Sequence, residues 1–182
     1  MELARFLLGT ILVCDSDEGR ISTRIVETEA YPPGDPAAHA YRRETPRNRS
    51  LFLRHGHAYV YFIYGVHFCV NVSSETAGVG AGVLLRAGEP RAGVECMRGR
   101  RPRAPLADLC RGPGKLATSL GITRRHDGLD LVAAGPLWLA AGDPPTAIRT
   151  SVRIGITKAT ESPLRFHEAE SSFASGSKKR NS

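Results

Sequence analysis

The chain has 182 residues, 41% of them hydrophobic and 24% charged, which fits one globular domain with a sizeable core and excludes wholesale disorder. Lys and Arg number 25 against 18 Asp and Glu, a formal net charge of +7, and only Lys115, Lys158, Lys178 and Lys179 are not Arg. Arg carries a planar donor fork matched to phosphate, so the surplus favours a nucleic-acid partner, although Arg richness also follows from a GC-rich genome.

Residues 2–8 read as a helix closing near Gly9, and residues 10–14 as a strand. No apolar run reaches the roughly 18 residues of a membrane span. No small-residue cleavage site follows residues 6–13, so a soluble, intracellular protein is expected. Cys14, Cys69, Cys96 and Cys110 form no CxxC pair, which points to reduced thiols rather than a disulfide framework or a zinc ribbon.

Residues 21–31 alternate as a strand, with Ile25, Glu27, Glu29 and Tyr31 on one face and Val26, Thr28 and Ala30 on the other. Two acids beside Ile25 and Tyr31 need partners if that face is buried. After a loop at 32–36, residues 37–74 hold one acid, Glu44, against Arg42, Arg43, Arg47, Arg49 and Arg54. This basic stretch runs into the most aromatic segment, Tyr59-Val-Tyr-Phe-Ile-Tyr-Gly-Val-His-Phe-Cys-Val-Asn-Val72, which reads as a hairpin turning at Tyr64-Gly65. Tyr64 stands where turns usually carry polar residues. It is either a wedge for something stacked or one exposed ring of a core hairpin.

Beyond Gly78, Gly80 and Gly82, a strand is predicted at 83–86, a helix at 90–98, and a basic Pro-containing loop at 99–105 with Arg100, Arg101 and Arg103. A short helix at 106–110 is broken by Arg111-Gly-Pro-Gly-Lys115, and another begins at 116–120. Strands are predicted at 127–131, 137–139 and 151–156. Residues 171–182, Ser-rich and ending in Lys178-Lys179-Arg180, read as a disordered basic tail behind a single domain over 1–170.

Glu29 is a candidate general base or a paired structural acid. His39 follows one loop later, and Arg86 ends an apolar strand where it needs an anion or the surface. Together they describe a pocket with an acid, a cation and aromatic walls. His55-Gly-His57 lacks further ligands at metal spacing and is read as a loop. Gly112-Pro-Gly-Lys115 lacks the early Gly and the following Ser or Thr of a nucleoside-triphosphate loop, although a helix N-terminus with a Lys can hold one backbone phosphate.

Five stretches occur in a telling order: Ile25-Val-Glu-Thr-Glu-Ala-Tyr31, Thr45-Pro-Arg-Asn-Arg49, Tyr59 through Ser74, Val83-Leu-Leu-Arg86 and Gly112-Pro-Gly-Lys-Leu116. This resembles the alkyladenine DNA glycosylase family, the mammalian-type 3-methyladenine (methylpurine) glycosylases, also found in bacteria. The likeness runs from about Leu3 to Pro163-Leu-Arg-Phe166. It implies an α+β fold, a curved and mostly antiparallel sheet flanked by helices, with a protruding hairpin that enters the DNA minor groove.

The resemblance further implies a monofunctional glycosylase without lyase activity. It flips damaged purines (3-methyladenine, 7-methylguanine, hypoxanthine, ethenoadenine) from double-stranded DNA and hydrolyses the N-glycosidic bond. Glu29 would activate the water, with His39 and Arg86 holding that water and the sugar-phosphate. Tyr31, His39 and Tyr61 would form the base slot. Asn71 would exclude guanine, Tyr64 would intercalate, and Arg47, Arg49 and Lys115 would meet the backbone. A monomer without cofactor or metal is expected, in the cytoplasm of a bacterium or the nucleus of a eukaryote.

Two features depart from the mammalian pattern: His67 replaces a Tyr, and the Tyr31–His39 loop is one residue shorter. Two other readings compete, a non-catalytic nucleic-acid-binding module and a hydrolase of free nucleosides. The hairpin supplies a geometric expectation. A two-residue turn would put Tyr61 and Asn71 on opposite faces, so a shared pocket requires an odd-length loop or a bulge near Gly65.

Overall fold

The long strand β2 (Gly19–Tyr31), rich in Ile, Thr and Val, is the axis of the sheet. Along one edge it pairs with β5 (Gly82–Ala92); along the other it meets β1 (Ile11–Ser16) and then β8 (Arg165–Glu168). The computed structural model describes residues 1–176, so Lys178-Lys179-Arg180 of the expected tail lies outside the described residues. The hairpin strands β3 (Ala58–Ile63) and β4 (His67–Ser73) continue the sheet beyond β5, and β6 (Leu137–Ala140) closes the side beyond β1. The last strand, β7 (Ile148–Ser151), pairs with β8, and every pairing is antiparallel. Three short helices, α1 (Glu2–Phe6), α2 (Val94–Arg100) and α3 (Pro113–Leu120), pack on this curled sheet, giving the expected α+β class.

The main core includes Leu7, Leu12, Ile21, Leu85, Met97, Leu116 and Leu120. A smaller cluster of Leu51, Tyr59, Tyr61, Cys69 and Leu84 underlies the opposite side of the hairpin. The side of β2 that meets the main core changes along its length: Ile21 and Ile25 belong to that core at the start, and Ala30 does at the end. The β2–β5 ladder is irregular between Ile25 and Thr28, and such a bulge re-aims the side chains beyond it. Glu27, Glu29 and Tyr31 therefore share a face as expected, but Ile25 does not belong to it.

Three further expectations are corrected. The helix expected at 90–98 is confined to Val94–Arg100, because Pro90, Arg91 and Ala92 continue β5 against Ser22 and Thr23, and Gly93, at φ 68, makes the break. The strand expected at 127–131 is a loop with a single bridge between His57 and Asp130; the Asp127 carboxylate accepts the Val60 N–H and the Ser50 hydroxyl instead. The strand expected at 151–156 ends at Ser151, and residues 152–158 form a loop. No helix among the described residues is long and apolar enough to cross a membrane.

Candidate active site

The hairpin places its aromatics by register. Tyr59 pairs with Asn71, Tyr61 with Cys69 and Ile63 with His67, leaving Tyr64, Gly65 and Val66 as an odd-length loop. Tyr61 and Asn71 consequently face the same side, as the expected register shift requires. Val66 N–H bonds back to Ile63 O, and Tyr64 and Gly65 both have positive φ (53 and 68), the sign a right-twisted hairpin turn demands at its two central positions. For Gly65 this conformation is free of strain, whereas Tyr64 has a Cβ to accommodate. Tyr64 is 81% exposed, and Phe62 and Val66 beside it are also exposed.

Below this tip lies a cavity of about 530 Å³ whose walls include Tyr31, His39, Tyr61, Tyr64, Asn71 and Arg86. Tyr59 and Tyr61 stack with centroids 5.3 Å apart, and the His39 ring meets Tyr61 edge-on at 4.5 Å. His39 Nδ1 is 2.9 Å from the Tyr59 hydroxyl, and the Asn71 amide donates to Tyr59 O. His39 keeps exposed surface, yet desolvation of the rest of it, with the Arg47 charge, lowers its pKa. Burial raises the Tyr59 phenol to about 12 and pushes Tyr31 and Tyr61 up as well, so all three remain neutral rings at physiological pH.

Glu29 has no exposed surface and stands just behind this wall. Its Oε2 accepts the Tyr31 hydroxyl at 2.9 Å and lies 3.2 Å from Arg86 Nη1, while Oε1 accepts the Ile154 backbone N–H at 2.8 Å. A carboxylate offers about four acceptor positions. These contacts leave one on Oε1. Glu27, also fully buried, takes four donors: Oε1 takes Arg86 Nε, Arg165 Nε and the Ser175 hydroxyl at 2.9, 2.7 and 2.8 Å, and Oε2 takes Ser175 N–H. Burial alone would lower the Arg86 pKa, but the charges of Glu29 and Glu27 outweigh it and raise it.

The predicted backbone contacts are less uniform. Arg47 and Arg49 are exposed, and Arg47 lines a second cavity of about 550 Å³ together with Arg42, Arg43 and Lys158, with no acid in its walls. This cavity shares His39 and Tyr59 with the first. Lys115, in contrast, holds both oxygens of Asp108. Of the 99–105 stretch expected as a loop, Gly99 and Arg100 end α2; Arg100 is held by Ser119 O and Glu18 and Arg101 by Leu109 O and Asp108, while Arg103 is exposed. His57 Nδ1 is 3.0 Å from Arg54 O within its loop, and no group of three or more His, Cys, Asp or Glu side chains among the described residues could hold a metal.

Sequence reading missed the parts that come from a distance. Arg153, wholly buried as a side chain, pairs with Asp35, donates to Ala30 O at 3.0 Å and lies over the Tyr31 ring at 4.7 Å. It thereby fixes both the loop after β2 and the 152–158 loop that brings Ile154 N–H to Glu29. A cation interrupting the apolar run Val152-Arg-Ile154 was the one local signal. Ser171 to Gly176, expected in the tail, pack back onto the domain, and Ser175 sits against Glu27.

The model of the methylpurine-DNA glycosylase (MPG) family matches residues 1–172. A protein of Mesorhizobium japonicum named "Putative 3-methyladenine DNA glycosylase" is 57% identical over 96% of this chain and 84% of its own length. Proteins with the same name from Paraburkholderia phytofirmans and the archaeon Methanoculleus marisnigri are 48% and 47% identical, over 98% and 95% of this chain and 84% and 92% of theirs.

Proposed function

Because the chain belongs to the methylpurine-DNA glycosylase family, we propose that it excises damaged purines from double-stranded DNA by hydrolysing the N-glycosidic bond, with Glu29 as general base. The observation that carries this reading is the open Oε1 acceptor on a fully buried Glu29, behind a pocket walled by aromatic rings. An enzyme that acts on a base must first take it out of the stack, at a cost of a few kcal/mol that is smallest for damaged bases. An exposed ring at a hairpin tip offsets part of that cost by filling the gap, and Tyr64 is held out for this purpose.

The flipped base enters between Tyr31 on one side and His39 with Tyr61 on the other. Asn71 then rejects guanine, whose exocyclic amino group meets its amide. An N3-alkylated adenine is a cation and leaves readily. The chain has only to hold a water, take its proton and stabilise the positive charge that develops on the sugar. Glu29 performs both carboxylate tasks. Arg86 and the Ile154 N–H fix its orientation, and the Tyr31 hydroxyl holds Oε2, so that the remaining Oε1 position receives the water proton. Arg42, Arg43, Arg47 and Lys158 take the phosphates flanking the flipped nucleotide.

Base release from duplexes carrying one lesion each, 3-methyladenine, hypoxanthine or ethenoadenine, tests this directly. Release should require DNA rather than the free nucleoside, and binding should weaken steeply as salt rises. Borohydride should trap no covalent complex, since hydrolysis by water leaves an intact abasic strand. If the unaltered chain binds these duplexes and releases no base, a binding module replaces the enzyme.

A further inference from the structure

We infer that residues 172–175 are a strap that positions Arg86, and through it Glu29, with Ser175 as its key. This inference rests on the proposed role of Glu29. The strap is tied at both ends to charged groups far away in sequence. Arg111 donates to Ser172 O and, at 3.0 Å, to Ala174 O. Ser175 gives its hydroxyl and its N–H to the two oxygens of Glu27, and its carbonyl accepts Arg165 Nη2. Arg86 Nη2 lies 3.4 Å from the Ser175 hydroxyl. Arg111 also bridges by its backbone to Ala87, the neighbour of Arg86.

These contacts have one geometric result. The Arg86 guanidinium is planar, so the bond from Nε to Glu27 and the contact from Nη2 to Ser175 fix its plane, and Nη1 is then aimed at Glu29 Oε2. Glu27 can serve as the fixed end only while its donors are in place, because a buried carboxylate that loses donors draws in water or moves to find them. Two of its four donors come from Ser175. With the strap displaced, Arg86 can turn toward Glu27 and leave Oε2 of Glu29 short of its cation. Ser175 does not itself line the pocket and reaches it only through Arg86, so it is a positioning residue.

The test uses full-length variants Ser175→Ala, which removes the hydroxyl, Ser175→Pro, which removes the hydroxyl and the N–H, and Ser175→Thr, which keeps both. Single-turnover release of 3-methyladenine is compared with the dissociation constant for the same duplex. A misplacement of about 1 Å far from the chemistry costs on the order of 100-fold. Ser175→Pro should therefore slow release about 100-fold, Ser175→Ala less, and Ser175→Thr about twofold at most, with duplex affinity nearly constant and any loss of melting temperature smaller than that of Glu27→Gln. Release at the unaltered rate by the Ala and Pro variants would overturn the strap, as would a loss no larger than the loss of affinity or stability. Hydrogen exchange at Arg86 Nε–H, followed by nuclear magnetic resonance, reads the guanidinium directly and does not depend on activity. It should quicken in Ser175→Pro, and an unchanged rate would sink the inference even if the unaltered chain released no base, an outcome that counts against the proposed function instead.

Discussion

Glu27 and Glu29 stand two residues apart on one strand, both without exposed surface and both touching Arg86, yet their surroundings are built for opposite ends. Around Glu27 four donors gather, from two arginines and from Ser175, and it lines neither of the two cavities described. Around Glu29 the donors are one Arg, one phenol and one backbone N–H, and the two side-chain donors line the pocket. Burial is equal in the two places, but two arginines face Glu27 and one faces Glu29. What differs is the donor set: a carboxylate held by four donors, two of them from arginines, holds structure, and one with three donors beside a pocket can take a proton.

The largest expected effect breaks the comparison if it fails. Glu29→Gln should lower base release by about 1,000-fold, the middle of the usual range for a general base. Duplex affinity and melting temperature should stay close to those of the unaltered chain. A Gln variant that still releases base would remove Glu29 from its role. Glu27→Gln should invert the pattern. Removing the charge that two buried arginines share should cost about 3 kcal/mol in denaturant unfolding, with a smaller loss of release than Glu29→Gln shows.

The hairpin tip sharpens the same contrast between function and stability. Tyr64→Gly should stabilise the fold by up to about 1 kcal/mol, because φ 53 suits glycine. It should also weaken lesion-duplex binding about 10-fold as a stacking ring is lost. Tyr64→Phe should leave both nearly unchanged.

The smallest effect separates two histidines. His39 stands at the pocket mouth, whereas His126 is 1% exposed beneath the sheet, with Nε2 3.9 Å from Cys14 Sγ. Burial lowers the pKa of His126, so the unfolded chain binds its proton more readily. Stability from this group is complete above the ordinary value of 6.5 and declines as pH falls through 6.5 toward the lower folded value. Melting curves between pH 7 and 5 should show that decline, and His126→Gln should flatten it. His39, whose pKa burial also lowers, shares that decline, so His39→Gln should flatten it in part and act on base release as well.

Legibility follows the same division. The alternation of β2, the shared face of Glu27, Glu29 and Tyr31, and the odd hairpin loop were readable because a strand's period and a turn's parity are local rules. The pocket residues Tyr31, His39, Tyr61, Asn71 and Arg86 were readable through ordered motifs, and all five line one cavity. Pro90 misled because its strand context lies across the sheet, at Thr23. Ser171 to Gly176 misled because a Ser-rich end looks like a tail until Glu27 and Arg111 supply its partners.

By itself, then, the sequence determined which side chains could do chemistry, since residue type and strand periodicity are written in order along the chain. The fold alone decided which of two buried acids is held by two arginines and a serine and which stands beside the pocket. That choice depends on donors brought from Ile154, Arg165 and Ser175, more than 120 residues away, and no local pattern encodes a partner at that distance.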